Sequence, residues 1–149
     1  MGHPDWNPGS KAGLDFQITK PANPGTNADV TLTVPPAEQW RILSLYSDFT
    51  ADANVASRTL ILQVEDGVAA RVFRLPSGVD VTAGQTRNQG WVTGFGAQAR
   101  NAGSTIEVLP VGELYAQAGW VIRITATNKQ IGDRHSNVLL LAERVRSLS

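Results

Sequence analysis

The sequence predicts an all-β protein, an antiparallel β-sandwich of the jelly-roll type with about eight strands and an extended N-terminal arm. Three observations support this prediction. Short runs alternate apolar and polar residues with period two, turn-forming residues separate most of these runs, and no segment has the period of an amphipathic helix. At 149 residues, the chain has the length of one domain that buries its own core.

The first 29 residues differ from the rest in composition. They contain four of the eight prolines and repeated Asn-Pro and Pro-Gly steps, which are typical of turns. Within this stretch only residues 14–19 alternate like a strand. We therefore divide the chain into an extended arm, residues 1–29, and a sandwich domain, residues 30–149. The arm has too little apolar surface to offset its own ordering entropy, so we expect it to order on a partner and its removal to leave the domain folded.

The strands of the sandwich are predicted from residue 30 onward. Residues 30–34 place three apolar side chains on one face and two threonines on the other, whereas residues 40–49 are apolar on both faces. Asp66 and Gly67 predict a two-residue hairpin turn. The predicted strands are residues 30–34, 40–49, 59–65, 68–75, 86–95, 105–109, 120–127 and 138–145. We expect the core to include Trp40, Leu60, Leu62, Trp120, Ile122, Ile124 and Leu139.

Composition excludes several classes of partner. The 13 basic and 13 acidic residues give a net charge of zero, whereas proteins that bind nucleic acid usually carry a basic excess. No apolar run reaches the length of a membrane span, and the N-terminus lacks the pattern of a signal peptide. Ten of the 13 basic residues are arginines, which are favoured at protein interfaces, although a codon bias would explain the same count. We expect no nucleic-acid or membrane partner.

Two motifs resemble enzyme signatures without the context that their chemistry needs. Residues 94–99 fit a loose dinucleotide-binding fingerprint, but residues 100–104 break the helix that should follow, so we expect no bound cofactor. Asp133, His135 and Ser136 supply an acid, an imidazole and a hydroxyl. Adjacent residues of a strand point to opposite faces, so His135 and Ser136 should diverge, and we interpret this segment as a polar loop that enters the last strand.

Metal sites and paired catalytic carboxylates are also not predicted. The chain has no cysteine, and its two histidines, His3 and His135, lie far apart in sequence. The acidic pairs, Asp48 with Asp52 and Glu65 with Asp66, lack the ligand spacing of a calcium loop, and we assign them to loops and turns. We therefore expect no catalytic residue and no metal ligand.

The aromatic residues indicate where partners bind. Trp40, Trp91 and Trp120 lie in strand runs and are expected in the core; if they were exposed, they would favour a carbohydrate-binding module. Trp6 lies in the arm, which has no core of its own. We assign Trp6 and Phe16, the largest apolar groups of the arm, as partner-binding residues that enter pockets of another protein.

Eight short segments follow one another in a recognisable order along the chain, namely residues 34–35, 40–44, 53–58, 66–67, 109–110, 118–124, 127–128 and 132–133. In this order they resemble small virion proteins of tailed bacteriophages. The resemblance extends over about residues 30–145. The departure from it is residues 36–39, where a tighter glycine turn would be expected, and the arm has no counterpart in the resemblance.

The resemblance implies a non-enzymatic capsid decoration, or cement, protein of β-sandwich fold. Such a protein would bind the major capsid protein lattice, stabilise the head and form a homotrimer. It would be found on the capsid surface of the virion, and in the host cytoplasm during assembly. Alternatives are another phage structural component, such as a tail, connector or spike protein, a carbohydrate-binding module, and a small hydrolase.

Overall fold

The computed structural model describes residues 14–68, 70–94 and 106–146. Within these ranges it is an all-β sandwich of two sheets, which confirms the predicted fold class. No described segment forms a helix with the length and apolarity of a membrane span. The strands are β1 (Leu14–Thr19), β2 (Val30–Thr33), β3 (Glu38–Thr50), β4 (Leu60–Glu65), β5 (Arg71–Pro76), β6 (Thr86–Thr93), β7 (Ile106–Val111), β8 (Tyr115–Ala116), β9 (Val121–Ala126) and β10 (Arg134–Arg146).

The two sheets differ in size. The six-stranded sheet has the order β1-β10-β3-β6-β7, and the short β8 pairs with the first part of β3. The four-stranded sheet has the order β2-β9-β4-β5. Neighbouring strands are antiparallel except for β6 and β7, which run parallel. The jelly-roll form of the sandwich stays a prediction.

The core lies between the sheets, and alternation along the strands explains which side chains enter it. Trp40, Leu60 and Leu62 are buried as predicted, and so are Ile122 and Ile124. Trp120 is only half-buried and packs against the rim of this core. Five of the seven predicted core residues are therefore confirmed as buried.

The prediction for Leu139 is wrong. Leu139 is half-buried and lies opposite Tyr46, on the face of the six-stranded sheet that points away from the core. The register between β10 and β3 shifts between Ser136 and Leu139, where Asn137 has a φ of 50°. This irregularity reverses the alternation, since an extra residue in one strand moves all later side chains to the opposite face. Val138 and Leu140 therefore enter the core instead.

One turn differs from its prediction, and another departs from the glycine turn that the phage resemblance would lead one to expect. The predicted hairpin between β4 and β5 exists, but its loop has five residues, 66–70, because the Asp66 carboxylate accepts hydrogen bonds from the amides of Val68 (2.9 Å) and Ala70 (2.8 Å). Between β2 and β3, where a glycine turn was expected, Ala37 has a left-handed φ of 63°. A residue with a side chain thus takes a conformation that favours glycine.

Part of the predicted arm lies on the sandwich. β1 pairs with β10 through six consecutive residues, and the amide of Asn27 donates a hydrogen bond to the carbonyl of Asp133 (2.6 Å). The residues from Leu14 onward therefore contact the domain that they precede in sequence. The boundary between arm and domain at Asp29 stays a prediction.

Candidate protein-interaction surface

Phe16, one of the two predicted partner-binding residues, lies on the outermost strand of the six-stranded sheet. Phe16 is 53% exposed and Ile18 is 67% exposed. In the antiparallel pairing they lie opposite Glu143 and Leu141, whose neighbours Leu140 and Ala142 point into the core. Because residues opposite each other in a ladder project to the same side, Phe16 and Ile18 point away from the core. Trp6, the other predicted residue, lies outside the described residues.

The apolar character of this side continues across the sheet. We call the side of the six-stranded sheet that points away from the core the outer face. The register places Leu141 opposite Ser44, Ser44 opposite Val92, and Val92 opposite Pro110. These rows form an apolar centre that spans five strands. Its side chains are Phe16, Ile18, Leu139, Leu141, Tyr46, Val92, Val108 and Pro110.

Tyr46 and Gly90 make the middle of the outer face closely packed. A Cβ atom added at Gly90 would lie 2.7 Å from Cδ1 of Tyr46, closer than carbon atoms approach without displacement. Only glycine therefore lets the Tyr46 ring lie across β6. The result is an aromatic ring spread along the sheet, with an apolar surface on its exposed side.

Polar residues border the apolar centre at both ends. At one end, the Asp48 carboxylate accepts hydrogen bonds from the side-chain amides of Asn88 (2.7 Å) and Asn137 (2.8 Å). At the other end, Arg41 and Glu143 form an ion pair of 3.6 Å. An apolar centre with a polar rim is the usual anatomy of a protein–protein interface.

The opposite surface of the molecule has different chemistry. On the exposed side of the four-stranded sheet, Arg123 forms an ion pair with Glu65 (2.8 Å) and donates a hydrogen bond to Thr31 (3.3 Å). The hydrogen bond from Arg123 is the main reason that the pKa of Glu65 lies below its usual value. Thr33 is exposed beside them. This surface is hydrated and charge-paired, as expected of a sheet face that contacts water.

The acid, imidazole and hydroxyl of residues 133–136 do not converge on one point. Asp133 is buried and binds the buried Arg58 through two hydrogen bonds of 2.9 and 3.0 Å. Nδ1 of His135 lies 3.1 Å from Oγ of Ser47, while Ser136 points to the other side of β10. His135 and Ser136 diverge, as the sequence predicts.

Arg58 instead ties together the loops at one end of the sandwich. Its guanidinium also binds the carboxylate of Asp52 (2.9 Å) and the carbonyl of Ala56 (2.7 Å). Burial raises the pKa of Asp133, but the hydrogen bond from Arg58, the hydrogen bonds from the backbone amides of Gln130 and Asp52 and the charge of Arg58 together outweigh burial and leave this pKa below its usual value. Two of the segments that carry the phage resemblance, residues 53–58 and 132–133, meet in this cluster. Arg58, Asp52 and Asp133 are paired with one another and with backbone groups, so the cluster joins these loops.

The other side chains that the sequence singles out do not come together at one place in the described residues. Within the described ranges, no three histidine, aspartate or glutamate side chains gather as a metal-ligand set. Trp40 and Trp91 are buried and Trp120 is half-buried, so these three form no exposed aromatic platform for a sugar ring. The dinucleotide-like segment lies outside the described residues except for Gly94. Two open clefts, of about 370 and 470 Å³, are lined in part by Leu139 and by Pro110 respectively, both of the outer face.

Most of the outer face was missed by sequence reasoning. The signal was present, because residues 40–49 and 138–145 carry apolar side chains on both faces. In a sandwich of two sheets, only one face of each sheet enters the core. A strand that is apolar on both faces therefore predicts a second apolar surface on the outside.

Comparison with protein-family models, with curated proteins and with solved structures finds no match for this chain.

Proposed function

We propose that this chain is a non-enzymatic structural protein of a tailed-bacteriophage particle, a capsid decoration protein that binds the major capsid protein lattice and stabilises the head. It acts on the capsid surface of the virion and is present in the host cytoplasm during assembly. The single observation that supports this proposal best is the contrast between the apolar outer face of the six-stranded sheet and the charge-paired surface of the four-stranded sheet.

The outer face has the properties that binding to another protein requires. Its centre is apolar and its rim carries hydrogen-bonded polar groups, so contact removes apolar area from water while the rim stays hydrated. Tyr46 lies in the middle, and tyrosine is one of the residue types enriched at the energetic centres of interfaces. A shell protein with a flat apolar patch is a partner of matching shape.

The arm extends the same surface. β1 brings Phe16 to the edge of the outer face, and residues 1–13, which include Trp6, precede β1 directly. We infer that the arm and the outer face bind one partner together. Many copies on one shell then act jointly, so that moderate affinity per copy is sufficient.

The experiment compares variants of the two surfaces on phage heads that lack the protein. Val92→Asp places a charge in the apolar centre, and Phe16→Asp places one at its exposed edge. Thr33→Asp, on the exposed side of the four-stranded sheet, is the matched control. We expect at least a tenfold loss of affinity for the first two variants, since losing one buried apolar anchor costs about 2 kcal/mol or more.

The controls make the result decisive. The thermal transition of each variant checks its folding, and Phe16 is exposed enough that Phe16→Asp should fold as the wild type does. Equal binding by all three variants would refute the proposal. Labelled protein found on tails instead of heads would reassign it to a tail, connector or spike component.

A further inference from the structure

The four outermost strands of the two sheets differ in how well they prevent pairing with another chain. An exposed strand edge pairs readily with further strands unless proline, charge, a bulge or shortness prevents it. Three of the four edges have such protection. Pro110 interrupts β7, Arg71 and Arg74 are exposed on β5, and β2 has only four residues, followed by Pro35 and Pro36.

β1 is the exception. Its six residues pair with β10 without a bulge, and they include no proline and no lysine. Its one charged side chain, Asp15, is held by Arg144 through hydrogen bonds of 2.8 and 2.6 Å, which keep the pKa of Asp15 below its usual value. Within the described residues, the edge of β1 that faces away from β10 has no pairing strand.

We propose that β1 pairs with β1 of a second copy of this chain, antiparallel across a twofold axis, so that the two six-stranded sheets become continuous. Phe16 and Ile18 must project to the same side in both copies, which allows only registers whose paired residue numbers have an even sum. Two such registers, centred on Phe16 and on Gln17, each pair five residues of β1. We choose the register centred on Gln17, which pairs Asp15 to Thr19, because it places both exposed apolar side chains opposite each other, Phe16 of each copy facing Ile18 of the other.

The side chains of β1 support a second copy as the occupant. In this register the two exposed apolar side chains, Phe16 and Ile18, face each other at two symmetric points of the joint, so each covers apolar area of the other copy. Asp15 of each copy lies opposite Thr19 of the other and is already bound by Arg144 of its own copy, so no like charges face each other across the joint. Two identical strands are therefore complementary in their apolar side chains and free of charge repulsion.

The pairing has a consequence for the proposed function. It would join two outer faces into one apolar surface, and in that respect it rests on the binding role of that face. Pairing of identical edges gives a dimer. The inference thus differs from the homotrimer that the phage resemblance implies. It is tested with purified protein alone, so it can fail while particle binding persists.

The first test uses single cysteines in a chain that has none of its own. Gln17→Cys places a thiol on the proposed axis, opposite the same thiol of the second copy. Thr33→Cys, an exposed position on the outermost strand β2, is the matched control. Under mild oxidation we expect disulfide-linked dimers of Gln17→Cys to form roughly tenfold faster than those of Thr33→Cys. Equal rates would overturn the proposal.

The second test measures mass in solution over a concentration series. The wild type should reach a dimer, and Ile18→Lys should remain a monomer, because a lysine on an edge strand opposes pairing. Val72→Lys, on the exposed β5, is the control and should dimerise as the wild type does. A wild type that stays monomeric, a trimer, or a dimer that survives Ile18→Lys would each overturn the proposal.

Discussion

The buried imidazole of His135 should make stability depend on pH. Burial lowers the pKa of His135 from 6.5 to about 4, with a further contribution from the positive charge of Lys129. Nδ1 faces Ser47, the ring centroids of His135 and Phe49 are 4.9 Å apart, and Nε2 has no hydrogen-bond partner among the described residues. A proton on Nε2 would therefore find no acceptor in the described part of the fold.

The sign of this effect follows from proton binding. The unfolded chain binds the histidine proton near pH 6.5 and the folded chain only near pH 4, so stability is lost as pH falls through this window. The loss should approach about 1.4 kcal/mol per pH unit. Urea unfolding at pH 7 and pH 5 measures it.

The controls for this prediction use both histidines of the chain. His135→Leu should remove most of the pH dependence between pH 7 and pH 5, whereas His3→Ala should preserve it. Carboxylates such as Asp133, whose pKa is lowered in the fold, also stabilise the fold, but they lose this contribution to the free energy of unfolding only below about pH 4. That range lies outside the interval from pH 7 to pH 5. An unchanged pH dependence in His135→Leu would contradict the assignment.

At the residue scale, alternation predicts burial well until the backbone departs from regular geometry. Ile122 and Ile124 lie on a regular strand, and both are buried as predicted. Leu139 follows the irregularity at Asn137 and points outward instead. The left-handed φ of Asn137 is compatible with its sequence, since asparagine adopts this conformation more easily than most residues, but many asparagines do not. A single sequence therefore does not reveal the reversal.

At the element scale, two expectations about the arm differ in the contribution that β1 makes to stability. The sequence predicts that removal of residues 1–28 leaves the domain intact, whereas the ladder with β10 indicates that β1 contributes to stability. We expect deletion of residues 1–13 to leave the melting temperature unchanged within a few degrees. Deletion of residues 1–20 should lower it further, because it removes six paired residues and the Asp15–Arg144 ion pair; each kcal/mol lost lowers it by roughly 2–4 °C. Calorimetry of both truncated proteins measures this, and equal melting temperatures would instead support the boundary at Asp29.

A buried polar row across the six-stranded sheet also lies beyond sequence reasoning. His135 contacts Ser47, Ser47 lies opposite Gln89, and Gln89 lies opposite Glu107, so the row crosses β10, β3, β6 and β7. All four residues are buried. Polar residues at alternate positions normally predict the hydrated face of a strand. Here tertiary packing overrides that pattern, and sequence alone would assign these side chains to the outside.

At the scale of the whole molecule, the exposed surfaces of the two sheets differ in chemistry: one is charge-paired and the other is apolar. The pairing of Arg123 with Glu65 suits contact with water, while the apolar outer face centred on Tyr46 and Val92 does not. The net charge of zero leads us to expect no nucleic-acid partner, and it gives the protein little long-range attraction to a charged partner. The sequence predicted the β-sandwich fold. It also singled out Phe16, which lies at the edge of the outer face. The rest required the register that brings distant strands together.

A cryo-EM reconstruction of heads carrying the protein shows which sheet faces the shell, and so tests the proposal that the outer face of the six-stranded sheet binds the particle. We expect β10, β3 and β6 to lie against the capsid lattice, with Tyr46 and Val92 in the contact and Arg123 exposed to solvent. A reconstruction in which the four-stranded sheet faces the shell and the outer face remains exposed would contradict it.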